Sequence, residues 1–163
     1  MKASSISELK QELTHLPAPK LVELCLRLAR FKKENKELLT YLLFEADDTV
    51  AYIESVKQEI ALQFREVNQS NVYFVKKTLR KILRSANKYI RYSALAAVEI
   101  ELLLYFCKCM KELKVPVNNN PVLLNIYQHQ IKKIDKAIAG LHEDLQYEYV
   151  KAVNRLKHEL THR

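Results

Sequence analysis

A single glycine, Gly140, in a chain of 163 residues is the feature that most constrains the fold. β-Sheets need glycines in the tight turns that join their strands, because those turns use backbone conformations that other residues rarely adopt. The four prolines stand at positions 17, 19, 116 and 121, outside the runs of regularly spaced apolar residues. Proline disrupts helix interiors, so these positions predict helix boundaries. The sequence therefore predicts an all-α fold with short polar connections.

Apolar residues recur at helical spacing along the chain and predict seven or eight helices. The run at residues 93–109 is apolar on most sides, which is typical of a central helix covered by several others. Short helices joined by brief turns favour antiparallel hairpins. We therefore expect one domain over residues 1–163, built either as stacked helical hairpins in an α–α superhelix or as an irregular helical bundle.

Helix starts can be predicted from side chains that accept hydrogen bonds from free backbone N–H groups. The predicted caps are Ser5 with Glu8 in a capping box, Asp47 or Asp48 before the fourth helix, and Ser93 before the sixth. The segment 32–36 is predicted to connect the second and third helices.

Two segments resemble a family of uncharacterised, wholly helical proteins of Bacteroidetes-type bacteria. They are KLVELCLRLARFKKENKELLTYLLFEAD at residues 20–47 and KKTLRKILRSANKYIRYS at residues 76–93. The resemblance extends over most of the chain and implies an all-α multihelical fold and a cytoplasmic bacterial protein. Because the family has no established activity, the resemblance implies no functional residue.

Cysteine usage and hydropathy also indicate the cytoplasm. The three cysteines are an odd number without the spacing of a disulfide framework. The N-terminal segment lacks the apolar stretch of a secretory signal. The most apolar run, residues 94–107, is too short to cross a bilayer and contains Glu99 and Glu101. We expect a cytoplasmic protein with free thiols and no membrane contact.

Charge is distributed very unevenly along the chain. No Asp or Glu lies between Glu66 and Glu99, whereas seven basic residues do. Residues 71–114 hold ten Lys or Arg against three Glu, a balance of +7 in a chain of net charge +8. At about 100° per residue the seven fall within roughly 140° of a helix, opposite an apolar arc. They are Lys76, Lys77, Arg80, Lys81, Arg84, Lys88 and Arg91.

Three interpretations of this basic helix stay open. It can be a solvated surface, partly neutralised by Glu54, Glu59 or Glu66 of the preceding helix. It can bind nucleic acid, since a helix of roughly 22 Å would span several phosphates. It can also bind an acidic protein or another anionic surface. The tyrosines close enough in sequence to stack on bases are Tyr73, Tyr89 and Tyr92. The position of Tyr89 near the apolar arc favours core packing.

Two patterns have the spacing of metal ligands. Residues 158–162, HELTH, match the H-E-x-x-H motif of zinc peptidases. Only Arg163 follows in this sequence, so we do not expect the usual downstream third ligand. Glu12 with His15 and Glu159 with His162 have the E-x-x-H spacing of di-iron carboxylate sites. Both pairs fall near the ends of terminal helices, so we expect surface residues there, and no metal or other cofactor.

No catalytic constellation is evident. Cys107 and Cys109 lie about 200° apart on a helix, and together with Cys25 they are predicted to be small core residues. One glycine cannot form a phosphate-binding loop. We therefore predict a protein without enzymatic activity. The leading interpretation is a non-catalytic interaction or scaffold module for a protein partner; the alternative is nucleic-acid backbone binding through the basic helix at 76–91.

Overall fold

This computed structural model describes the backbone of residues 2–161 and the side chains of residues 2–158. Over that range the chain is all-α, without a strand, and the predicted multihelical fold is confirmed. None of the described helices is both long enough and apolar enough to cross a membrane. In chain order the elements are α1 (Ile6–Thr14), α2 (Ala18–Phe31), α3 (Lys33–Phe44), α4 (Thr49–Arg65), α5 (Val72–Ser93), α6 (Ala96–Lys111), a 3-10 turn (Val117–Asn119), α7 (Pro121–Ala139) and α8 (Glu143–Thr161).

Side-chain caps confirm two of the predicted helix starts. In the capping box of α1, the Glu8 N–H donates to Ser5 Oγ at 3.3 Å, and the Ser5 N–H donates to the Glu8 carboxylate at 2.7 Å. The hydrogen bonds from the backbone and the hydroxyl of Ser5 lower the pKa of Glu8. Asp48 accepts a hydrogen bond from the Ala51 N–H at 2.9 Å and caps α4.

Two predicted boundaries are wrong. Lys32 alone separates α2 from α3, through its extended backbone, where residues 32–36 were expected to form the connection. Ser93 does not cap α6 but ends α5, where its hydroxyl donates to the Ile90 carbonyl at 3.0 Å. Ala94 then turns the chain with a left-handed φ of 53°. Both details depend on the backbone path between helices, which apolar periodicity does not encode.

The helices group into two compact units, one up to Phe44 and one from Glu45 onward. In the N-terminal unit α2 packs against α3, and the Asn35 amide donates a hydrogen bond to the Leu28 carbonyl at 2.9 Å. Neither α1 nor α2 has a buried side chain. Their apolar residues are therefore only partly covered. A single domain over residues 1–163 stays a prediction.

The centre of the C-terminal unit is α6, as its apolar sequence predicts. It packs against α4, α5, α7 and α8, and eight of its side chains are buried. Fully buried Phe106 meets Phe64 of α4 with ring centroids 5.3 Å apart. The surrounding helices make this unit an irregular bundle. The helical spacing of Val50, Ile53 and Ile60 predicts that all three lie inward. Val50 is instead 73% exposed, in the first turn of α4.

Candidate nucleic-acid interface

The charge asymmetry of the sequence is carried by one side of α5. Asn71 starts this helix by accepting a hydrogen bond from the Tyr73 N–H at 2.8 Å. The side that packs within the bundle buries Val75, Leu79, Ile82, Ala86 and Ile90. Contacts with α4 and α6 hold this apolar side, so the opposite side of α5 faces away from the core.

The seven predicted residues all lie on that opposite side, which we call the basic face. Its members are Lys76, Lys77, Arg80, Lys81, Arg84, Lys88 and Arg91. All are exposed except Lys76 and Lys88, which are half-buried. Because the apolar arc is fixed in the bundle, the charged ends of the five exposed side chains are open to solvent.

The described acidic residues of α4 make no ion pair with six of the seven cations of the basic face. Glu54 pairs with Lys57 of its own helix at 3.1 Å. Glu59 accepts hydrogen bonds from the Tyr89 hydroxyl at 2.7 Å and more weakly from the Ser85 hydroxyl at 3.4 Å. Among side chains 2–158, no ion pair involves Lys76, Lys77, Arg80, Lys81, Arg84 or Arg91. None of these six cations is therefore held in a direct ion pair by a described carboxylate.

A lysine from α7 joins one edge of the basic face. Lys133 Nζ donates a hydrogen bond to Asn87 Oδ1 of α5 at 3.1 Å. Asn87 lies about 20° from Lys76 around the helix, at the edge of the basic arc. Asp135, the one acidic residue of α7, pairs instead with Lys157 of α8 at 2.9 Å. The sequence alone does not predict the hydrogen bond between Lys133 and Asn87, because the two residues are 46 positions apart in the chain.

Two exposed aromatic rings stand at the start of the basic face. Tyr73 is 58% exposed and Phe74 is 44% exposed, and their rings meet edge to face with centroids 5.6 Å apart. The ammonium of Lys76 lies 5.5 Å from the centroid of Tyr73. Tyr89 differs: it is half-buried rather than part of the core, and its hydroxyl donates a hydrogen bond to Glu59 of α4.

The candidate metal residues are not assembled by the described part of the chain. Glu12 and His15 are both exposed, and His15 Nδ1 is hydrogen-bonded to the Gln11 carbonyl oxygen at 2.7 Å. No group of three or more potential metal ligands occurs among the described residues. His158 is exposed, but the other functional residues of the H-E-x-x-H motif, Glu159 and His162, lie outside the described side chains.

The cysteines divide into two environments. Cys107 and Cys109 are buried in α6, as predicted, and burial raises the pKa of both thiols. Cys25 is exposed, so its predicted place in a core is wrong. The apolar stripe of α2 that suggested it is itself only partly covered, since Leu28 is 61% exposed.

An open groove of about 960 Å³ is lined by residues of α4, α6 and α8. Within it Lys57 donates hydrogen bonds to Glu101 at 2.9 Å and to Glu54 at 3.1 Å. Burial alone would lower the pKa of Lys57, but the two carboxylates raise it above its ordinary value. Since Lys57 and Glu101 already bind one another, this cluster mainly ties α4 to α6.

Comparison of the chain with protein-family models, with curated proteins and with solved structures finds no match. The resemblance to a bacterial helical family stays a prediction, and a functional conclusion must come from the geometry of the chain itself.

Proposed function

We propose that this protein is a non-catalytic helical module that binds the phosphate backbone of nucleic acid through the basic face of α5. The observation that carries the proposal is its open charge. Five of the seven cations are exposed, and none of these five pairs with a described carboxylate. A polyanion is the partner whose chemistry complements such a surface.

The arrangement of the charges supports this proposal energetically. Lys76, Arg80 and Arg84 follow one another at four-residue intervals, and like charges at that spacing repel by a few tenths of a kcal/mol per pair. Phosphates bound along the face would replace this repulsion with attraction. They would also release condensed counterions, which makes affinity depend steeply on salt. Phosphate contacts from the five exposed cations predict a slope of log affinity against log salt of about −4.5 for a duplex and about −3.5 for a single strand.

The test is a salt titration of binding to generic duplex DNA and to single-stranded RNA, with the double variant Arg80→Glu, Arg84→Glu. Reversing these two charges should abolish binding. Because both side chains are exposed, thermal stability should remain nearly unchanged. The matched control is Arg27→Glu, Arg30→Glu, which reverses two exposed arginines of α2 and changes the net charge equally.

Loss in the α5 variant alone would support the basic face as the binding surface. Equal loss in both variants would assign the binding to overall charge, and unaltered binding in the α5 variant would refute the proposal. Retained stability, followed by thermal unfolding, separates a binding defect from a folding defect.

A second candidate function is the binding of a protein partner through the N-terminal unit. The helix α2 is amphipathic, yet none of its side chains is buried. Leu28 is 61% exposed and Phe31 is 76% exposed on the same apolar stripe. Contiguous exposed apolar side chains are typical of interaction sites, which supports the scaffold interpretation.

The second candidate is tested with the double variant Leu28→Ser, Phe31→Ser. Because both side chains are already exposed, the change should remove partner binding without unfolding the chain. Leu62→Ser on α4, where Leu62 is 57% exposed, is the control. We expect the wild type and the Leu62 variant to capture a protein from native cell extract that the α2 variant does not capture. Identical capture by all three proteins would contradict it.

A further inference from the structure

The basic face contains an aromatic ring in line with its arginines. Four side chains follow one another along α5 at separations of seven, four and seven residues: Tyr73, Arg80, Arg84 and Arg91. At about 100° per residue they lie within about 40° of one another around the helix. From Tyr73 to Arg91 this line runs roughly 27 Å. A strand lying along the arginines would therefore pass over the ring.

The ring of Tyr73 is held in place but not covered. Phe74 meets it edge to face at 5.6 Å, and the Lys76 ammonium lies 5.5 Å from its centroid. The side chain still remains 58% exposed. The described contacts of Tyr73 therefore restrict the orientation of the ring and leave aromatic surface available to a ligand.

Exposed aromatic rings within a positively charged track are the combination that binds single-stranded nucleic acid, because unpaired bases stack on the rings while the cations follow the backbone. In a duplex both faces of each base are already covered by its neighbours, and unstacking a step costs a few kcal/mol. A duplex can use the arginines of the face but gains little from Tyr73.

We propose that the basic face takes single-stranded nucleic acid, with one base stacked on Tyr73 and the backbone phosphates on Arg80, Arg84 and Arg91. The inference rests on the proposed function and adds the class of nucleic acid and the residue that contacts a base. Phe74 supports the Tyr73 ring, and Lys133 of α7 extends the cationic edge of the same surface.

The experiment measures fluorescence anisotropy with three ligands of equal length at one low salt concentration. They are a labelled oligouridylate, an abasic strand and a DNA duplex. The proteins are the wild type, Tyr73→Ala, Tyr73→Phe and the control Tyr147→Ala. Tyr147 is also an exposed tyrosine, at 74%, but lies on α8. Far-UV circular dichroism on heating verifies that each variant is folded.

We expect Tyr73→Ala to weaken oligouridylate binding about tenfold or more, because stacking on an aromatic ring contributes strongly for each base. Binding to the abasic strand, which offers phosphates without bases, should change by less than about twofold. Tyr73→Phe keeps the ring and should bind as the wild type does, as should Tyr147→Ala.

The remaining outcomes separate this inference from the proposed function. If Tyr73→Ala leaves oligouridylate binding unchanged, or weakens both strands equally, stacking on Tyr73 is refuted while backbone binding stands. Tighter binding of the duplex than of the oligouridylate by the wild type refutes the single-strand assignment alone. If the wild type binds none of the three ligands, both proposals fail.

Discussion

Cys25, Cys107 and Cys109 show how strongly the surroundings of one side chain decide its chemistry. Cys107 is completely buried, and burial raises its pKa because the charged thiolate loses its hydration. Cys109 is 9% exposed and its pKa is raised for the same reason. The thiolate is the reactive form of cysteine. Two of the three thiols are therefore both inaccessible and protonated near neutral pH.

We predict that only Cys25 reacts rapidly with Ellman's reagent at pH 8. The native protein should release close to one equivalent of chromophore quickly, and the protein in guanidinium chloride should release three, one for each cysteine in the sequence. A Cys25→Ser variant is the control and should lose the fast phase. Rapid reaction of a second native thiol would mean that α6 is less well covered than its burial indicates.

At the scale of the helix, α5 and α6 differ in how charged and apolar residues are arranged around the helix axis. In α5 apolar and basic residues occupy opposite arcs, whereas α6 is apolar on most sides and is surrounded by four helices. The sequence predicts both arrangements because they depend only on the order of residues within one helix. It does not predict that Lys133 reaches Asn87 or that Tyr89 binds Glu59, because those contacts require the relative positions of helices.

The central place of α6 gives a quantitative expectation for stability. Leu103 is completely buried in this helix, so Leu103→Ala should lower the free energy of unfolding by about 2–5 kcal/mol. Leu62→Ala makes the same chemical change at a side chain that is 57% exposed. This variant should change the free energy of unfolding by only about 0.5 kcal/mol. Urea unfolding followed by circular dichroism measures both. Similar values for the two variants would argue against a core centred on α6.

At the scale of the whole molecule, the positive charge is concentrated in one part of the chain, whereas exposed apolar side chains are densest in another. Most of the net charge of +8 belongs to residues 71–114, within the C-terminal unit. Largely exposed apolar side chains such as Leu28 and Phe31 belong to the N-terminal unit. Such a distribution allows one partner to be attracted by charge and another to be held by apolar contact.

The molecular scale is also where sequence reasoning reaches its physical limit. Periodicity identifies the apolar stripe of α2 but not what covers it, and for that reason it placed Cys25 in a core. The same pattern placed Val50 inward at the start of α4, where it is exposed. The burial of a side chain depends on which neighbours pack against it in the tertiary fold. The apolar stripe of a single helix does not specify those neighbours.

The exposure of Cys25 has a practical consequence. A chain with one accessible thiol can take a maleimide fluorophore at a single position without engineered cysteines. The dye would sit on α2, in a different compact unit from α5, and would leave the cations and Tyr73 chemically unaltered. Single-molecule observation of the otherwise native protein on an immobilised strand then becomes possible, with residence time read directly from individual binding events.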